Sequence, residues 1–517
     1  MSTIRTSIHA PVRPFQCCRF GLLLLLMASP AWGINVVSVQ PTSQSLTAEV
    51  NAPVVIRFDA AVDRASLIAG ETLRVSGRWS GPIVGSLSFS AGDSVVSWSP
   101  MRPFAAGDRV LVVLSHDIRS AGGSSLRAAG YSLHYWTRTA AAPLEFQEVQ
   151  RFSVRTEATI TTRAYGGSAG DFNGDLALDL AIVNEDTADL RLFLNTGDKR
   201  GLFDEFMLPP TRLGRQASPS ETADFDGDGI IDLCVANIRD NSITILLGNG
   251  DGSFRSTFVQ VGDNPRGITV LDADGDGDID IVNTNSGLLS DDLCILLNHG
   301  NGTFAAPSYF DGGGDGEWAL EADDFDHDGI LDLAVGLQVS EQVAINHGVG
   351  DGTFTTGTPR NCEGQVWQLN TGDVNGDGHT DVVVVNGTSN NAAVLPGDAA
   401  GRLGRATLYL PDAFALATDL GDLDGDGDLD WVTSSFSGDW FVYRNNGSGT
   451  FQFDQSIDAP SAASCALLFD SNRDGDLDIV LIDEIADIIV VLENTQTSTA
   501  VEQTSLSRMR SLYRGKE

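Results

Sequence analysis

From residue 142 to residue 495 the chain alternates short apolar runs of strand length with loops of Asp, Gly and Asn, and the alternation itself recurs. Each unit reads as an apolar strand ending at an Asp, an acidic loop, a second strand, a polar connection, a third strand, a Gly/Asn turn and a fourth strand. The stretch "ADFDGDGIIDLCVANIRDNSITILLGNGDGSFRSTFVQV" shows the whole order. The turns "LLNHGNGTF", "INHGVGDGTF" and "YRNNGSGTF" supply the glycine and asparagine that the positive φ of a hairpin requires. Seven units of about 50 residues with four strands each predict an all-β fold dominated by a seven-bladed β-propeller over 142–495. The last unit has its third strand at Ile488 to Leu492 and no fourth, whereas "EFQEVQRFSV", Glu145 to Val154, looks like a fourth strand with no unit of its own. That N-terminal strand is expected to close the last blade.

Residues 34–141 have no acidic loop and a different rhythm. Alternating segments at Val50 to Phe58, Thr72 to Val75, Ile83 to Phe89, Val95 to Trp98, Arg109 to Leu114 and Ser132 to Thr137 are separated by turn residues, the pattern of a β-sandwich. Through "VVSVQPTSQS", "PVVIRFDAAVDRASL", "VVSWSPMRPFAAGDRVLVVL", "SAGGSSL" and "YSLHYWTRT" the region resembles bacterial Ig-like domains, which implies a spacer or interaction module. Trp98 and Trp136 are expected in its core.

The acidic loops carry the candidate chemistry. Their first carboxylates are Asp171, Asp224, Asp272, Asp324, Asp373, Asp422 and Asp470, spaced 48 to 53 residues apart. Position three is Asn173, Asp226, Asp274, Asp326, Asn375, Asp424 and Asn472; position five is Asp175, Asp228, Asp276, Asp328, Asp377, Asp426 and Asp474. Position nine is Asp179, Asp232, Asp280, Asp332, Asp381, Asp430 and Asp478. Oxygen ligands at alternate places in a tight loop turn toward one point, where unpaired anions would repel, and hard ligands of this number suit calcium. Gly229, Gly277, Gly329, Gly378, Gly427 and Gly475 hold position six, where positive φ brings the next carbonyl inward, and the first loop has Leu176 instead. An EF-hand is excluded, because position twelve of the second loop is Val235 rather than Glu and a strand-length run follows the loop.

With D-x-[DN]-x-D-G-x-x-D met in full by six loops, these units are similar to the FG-GAP or VCBS repeats of integrin α-subunit-type propellers. The resemblance implies calcium in the loop between the first and second strands. Loss of the ions is then expected to weaken the propeller and leave the sandwich unchanged.

Arg5, Arg13 and Arg19, the apolar run Phe20 to Ala28 and the small-residue exit at Ala31 to Gly33 read as a signal peptide over 1–33, so a secreted or cell-surface location is expected. No segment is long enough to span a membrane. The formal charge of -38, with 70 Asp and Glu against 32 Lys and Arg, excludes nucleic acid as a natural partner. Cys234, Cys294, Cys362 and Cys465 fall at unlike repeat positions and are expected as buried thiols rather than a disulfide framework. The tail 496–517 lacks alternation and is expected to be disordered.

For a ligand surface, the face opposite the loops is the candidate. Six residues before each first Asp stand Tyr165, Ser218, Arg266, Trp318, Trp367, Leu416 and Ser464, which places Arg266, Trp318 and Trp367 side by side. They suit stacking on a sugar or clamping an acidic residue, or else packing between sheets. No nucleophile elbow, zinc helix or phosphate loop occurs, and the histidines lie in turns, loops and the sandwich. The expected role is a monomeric, non-catalytic binding or adhesion module for an extracellular glycan or protein. The competing one is a calcium-dependent polysaccharide-active enzyme, a lyase-like propeller, which a pair of convergent basic residues in the channel would favour.

Overall fold

The computed structural model describes residues 33–204, 209–287 and 293–495, so the segment expected to be a signal peptide, Gly33 apart, and the 496–517 tail expected to be disordered lie outside the described residues. Among the described residues the structure is all-β except for one short 3-10 turn, Ile238–Asp240. No helix is long and apolar enough to cross a membrane.

Residues 34–141 form two four-stranded antiparallel sheets. One runs Val36–Gln40, Val54–Phe58, Val95–Pro100, Gly85–Ser90 in spatial order, the other Gly81–Pro82, Leu73–Gly77, Arg109–Leu114, Tyr131–Trp136. Val54, Ile56, Val96 and Trp98 from the first meet Leu73, Val75, Val112 and Tyr135 from the second in one core, because period-two alternation puts them on the facing sides. Trp98 is 1% exposed in that core. Trp136 is also buried, but it points the other way and packs with Val383, Val385 and Trp431 of the repeats. The reason is visible in its strand: Tyr131–Trp136 is buried on both faces, so its alternation reports no single inner side.

Among the described residues the repeats form seven antiparallel sheets of at least four strands, each ordered as the chain runs, apart from the final strand of the last. Their first strands are Ala164–Gly170, Ala217–Ala223, Pro265–Leu271, Glu317–Asp323, Gln368–Gly372, Ala415–Gly421 and Ala463–Phe469. Each packs against the next, and the last packs against the first. The second strands, such as Asp232–Asn237 and Asp332–Leu337, are buried throughout because sheets cover both their faces. Leu180, Ile182 and Phe193 of the first sheet share a core with Val480, Ile482 and Ile489 of the last. Asn195 Nδ2 donates to the Ser471 carbonyl at 2.8 Å, joining the same two sheets at their loop ends. The segment expected to complete the last unit does pair there: Phe146–Ser153 runs antiparallel to Ile488–Asn494 over the register Phe146↔Asn494 to Ser153↔Ile488.

The sandwich rests on the face that bears the acidic loops. His116 N donates to Gly275 O at 2.7 Å, Ser132 N to Gly329 O at 2.8 Å and Ala140 N to Gly475 O at 2.6 Å, and just past the sandwich Ala142 N donates to Asp424 O at 3.1 Å. Residues 33 onward accordingly form one compact unit.

Candidate functional site

The acidic loops are built from their ends inward. Position two, Phe172, Phe225, Phe325 or Val374 for example, is buried in a core, and so is position eight, such as Ile231 or Leu331. These two anchors hold the loop while its polar residues turn away from the core. The position-nine carboxylate then receives the position-two N–H, as Phe225 N to Asp232 Oδ2 at 2.8 Å, and an N–H from the third strand, as Gly248 N to Asp232 Oδ1 at 2.7 Å. The position-one carboxylate receives the amides of positions four and six, Gly227 N at 2.8 Å and Gly229 N at 3.0 Å on Asp224. Position six is left-handed in every loop, including the first, where Leu176 has φ 72°. Position four is left-handed too, occupied by Gly in five loops and by His327 and Arg473 in the others, a requirement that the pattern at position six did not disclose.

Two kinds of loop emerge. In those headed by Asp224, Asp272, Asp324 and Asp422, three carboxylates converge with donor oxygens within 4.8 Å of one another: Asp224, Asp226 and Asp232; Asp272, Asp274 and Asp276; Asp324, Asp326 and Asp328; Asp422, Asp424 and Asp430. Buried oxygens Asp226 Oδ1, Asp324 Oδ1 and Asp422 Oδ1 have no hydrogen-bond partner among the described residues. Burial, reinforced by the neighbouring carboxylates, pushes Asp232 up to about 7 and Asp272, Asp324 and Asp430 up to about 8. Orphaned oxygens and carboxyls held out of their usual range are what a hard cation would relieve, so these residues fit one. In the loops headed by Asp171, Asp373 and Asp470 the position-three amide donates instead: Asn173 to Asp175 at 3.1 Å, Asn375 to Asp381 at 3.2 Å and Asn472 to Asp474 at 3.2 Å. There the chain itself supplies part of the neutralisation. Sequence reading also passed over His347, whose Nδ1 lies 3.7 Å from Asp326 and 3.3 Å from Asp332.

At the opposite ends of the first strands the structure gathers Tyr165, Ser218, Arg266, Trp318, Trp367, Leu416 and Ser464 around one cavity of about 140 Å³. In six of the seven sheets the strand register shifts at or beside this position, between Pro265 and Ile268 for instance, and a bulge re-aims the side chain. Arg266 lies 4.1 Å over the Trp318 ring, the Trp318 and Trp367 rings are 4.9 Å apart, and Trp367 Nε1 donates to the Tyr165 hydroxyl at 3.0 Å. Both indoles are half-buried, lining the cavity rather than filling the space between sheets.

The far end of this cavity was not foreseen. Glu221, Glu321, Asn370 and Asp419, three residues before their loops, line it together with Arg78 from the sandwich. Arg78 Nη1 binds Asp419 at 2.9 Å, and Trp79 Nε1 donates to the Leu468 carbonyl at 3.0 Å. Arg109 reaches Glu321 at 2.5 Å and Asp323 at 2.9 Å. Arg78, Glu221 and Glu321 also border a second cavity of about 80 Å³ beneath the sandwich, so they partition the two. Acids at one repeat position in three units were the available signal; the arginines opposite them come from a region that shares no periodicity with the repeats.

A family model described as FG-GAP-like repeat matches residues 171–235, 224–283, 324–384, 373–433 and 422–481, together just over half of the chain. No curated protein matches. Among solved structures, the chain is similar to BBS1N in complex with ARL6DN, soaked with mercury (13% identity, 68% of this chain and 98% of that one, TM-score 0.49). It is also similar to the periplasmic gluconolactonase PpgL of Pseudomonas aeruginosa (16%, 75% and 97%, TM-score 0.44) and to an auxiliary nutrient binding protein from Bacteroides ovatus ATCC 8483 (10%, 90% and 99%, TM-score 0.37). By its repeats, the chain belongs to the FG-GAP-like repeat family.

Proposed function

We propose that this is an exported, calcium-stabilised seven-bladed β-propeller, with an Ig-like sandwich over 34–141 and the propeller over 142–495, acting as a non-catalytic binding or adhesion module for an extracellular glycan or protein. The observation that carries the reading is the half-buried group Arg266, Trp318, Trp367 and Tyr165 around the outer end of the cavity, the end away from the sandwich. Aromatic faces beside a guanidinium offer stacking and charge-assisted hydrogen bonds to a ligand entering there. Calcium would be held by the carboxylates of the loops headed by Asp224, Asp272, Asp324 and Asp422, where it would neutralise converging charge. The alternative, a polysaccharide lyase, draws on two arginines in one cavity, Arg78 and Arg266. Against it, the Arg78 charge is engaged by Asp419 and the two stand at opposite ends of the cavity-lining strand positions.

A glycan and matrix-protein array, run with calcium and with chelator beside a lyase assay on acidic polysaccharides, tests the proposal. Binding that Trp318→Ala removes is the expected result. Turnover of a polysaccharide, or array binding indifferent to Trp318→Ala, overturns it.

A further inference from the structure

We infer that the central cavity takes a small zwitterion, a molecule with a protonated amine at one end and a carboxylate at the other; this rests on the ligand-binding role proposed for the same cavity. One acidic and one basic group line it with a carboxyl or guanidinium that has no ion-pair partner among the described residues. At the inner end Glu321 is engaged by Arg109 at 2.5 Å and Asp419 by Arg78 at 2.9 Å. That leaves Glu221, whose carboxylate has neither hydrogen bond nor ion pair among the described residues. Burial, together with Glu321, pushes Glu221 up to about 8 against the pull of Arg78 and Arg109, as an acid with no counter-ion of its own should behave.

At the outer end Arg266 stacks on Trp318, and its buried Nε has no hydrogen-bond partner among the described residues. Glu185 is within electrostatic reach of it but is held by Arg163 at 3.4 Å, and no ion pair to Arg266 forms among the described residues. Glu221 lies three residues before its loop and Arg266 six before the next, so the strand rise sets them about 10 Å apart along the channel. Trp318 and Trp367 provide an apolar wall at the outer end, and Gly166 and Gly167 leave the opposite wall without side chains.

A neutral sugar would leave the Arg266 charge unmatched and Glu221 protonated, and a ligand of single charge would match only one of the two. An aliphatic stem with an amine toward Glu221 and a carboxylate toward Arg266 matches both. A cavity of about 140 Å³ corresponds to about five waters at ~30 Å³ each, which confines the ligand to a small molecule such as an ω-amino acid.

The test is calorimetric titration of the intact chain, in calcium and at about pH 8.5 where a free aliphatic amine is still charged, with 6-aminohexanoate, hexylamine, hexanoate and glucose in turn. 6-Aminohexanoate is expected to bind at least tenfold more tightly than each of the others. Glu221→Gln should reduce it to the level of hexanoate, and Arg266→Gln to the level of hexylamine. Gly166→Leu should abolish binding with the melting temperature kept, because a Cβ there meets no atom within 4 Å and the side chain occupies the cavity. No binding by 6-aminohexanoate, equal binding by a singly charged compound, or unchanged affinity in both glutamine variants overturns the inference. If array ligands are lost with Trp318→Ala yet survive Glu221→Gln and an excess of 6-aminohexanoate, the binding face stands and the zwitterion falls. If 6-aminohexanoate binds as expected while array ligands ignore Trp318→Ala, the reverse holds.

Discussion

Leu176 is the residue at which the loop pattern breaks, yet its backbone keeps the left-handed conformation that glycine takes in the other six loops. A Cβ in that conformation costs about 1–2 kcal/mol, and the extra chain entropy of glycine returns about 0.5–1 kcal/mol of it. Leu176→Gly should therefore stabilise the fold by about 0.5–1 kcal/mol, read as a higher denaturant midpoint; Leu176 is exposed, so little packing is lost. Glu221 gives a prediction of opposite character. Its carboxyl goes from an ordinary 4.5 in the unfolded chain to about 8 in the fold, so the fold favours the neutral form. That contribution is full below about pH 4.5 and is lost as pH rises through about 8. Glu221→Gln should melt close to the native chain at pH 5 and several degrees above it at pH 9; parallel pH profiles would show that the charge is compensated after all. Sequence position alone exposed Arg266, Trp318 and Trp367 but not Glu221. In an unbroken strand residues three apart face opposite sides, whereas in the second repeat the bulge between Ala217 and Ser220 lies between Ser218 and Glu221, which both line the cavity.

Whole elements were easier to read where burial is one-sided. Arg109–Leu114 stands where its alternation placed it. The two-residue strand Gly81–Pro82 has too little sequence to carry a pattern, and the outer strands of the repeats shrink to pairs such as Thr211–Arg212. The order of the repeat unit nevertheless identified Phe146–Ser153 as the partner of Ile488–Asn494, because a missing fourth strand and a spare one are both countable. The pairing also has a physical purpose: without it Ile488–Asn494 would present a bare edge whose Ile489, Val490 and Val491 are apolar. Deleting residues 142–156 is expected to produce concentration-dependent aggregation by light scattering, and a monodisperse deletion variant would mean that another segment covers this edge.

At the scale of the molecule, the expectation that ion loss leaves the sandwich unchanged meets the extent to which the sandwich shares its cores with the repeats. Trp79 sits in the core between the first and last sheets, 6.1 Å from Phe469, Val113 in a core with Phe225 and Ile281, and Trp136 beside Trp431. None of these contacts has a local signature, since each joins residues more than a hundred positions apart with unrelated periods. The three backbone hydrogen bonds from the sandwich, with a fourth from Ala142 just after it, end on carbonyls of three all-carboxylate loops and of the Asp470 loop, so loop order and sandwich docking are mechanically one feature. Extracellular calcium sites with dissociation constants of ~0.1–1 mM each contribute ~0.4–1.4 kcal/mol at about 1 mM calcium, so four all-carboxylate loops would contribute ~2–6 kcal/mol. That loss on chelation should reach the sandwich rather than stop at residue 141, contrary to what separate domains would do. Calorimetry of the intact chain is expected to show one transition that moves to lower temperature as a whole in chelator. Amide exchange should then quicken in Leu73–Gly77 and Arg109–Leu114 together with the loops. Two transitions of which only one responds to calcium, with exchange in those two strands unaltered, would mean that the shared cores do not couple the sandwich to the repeats.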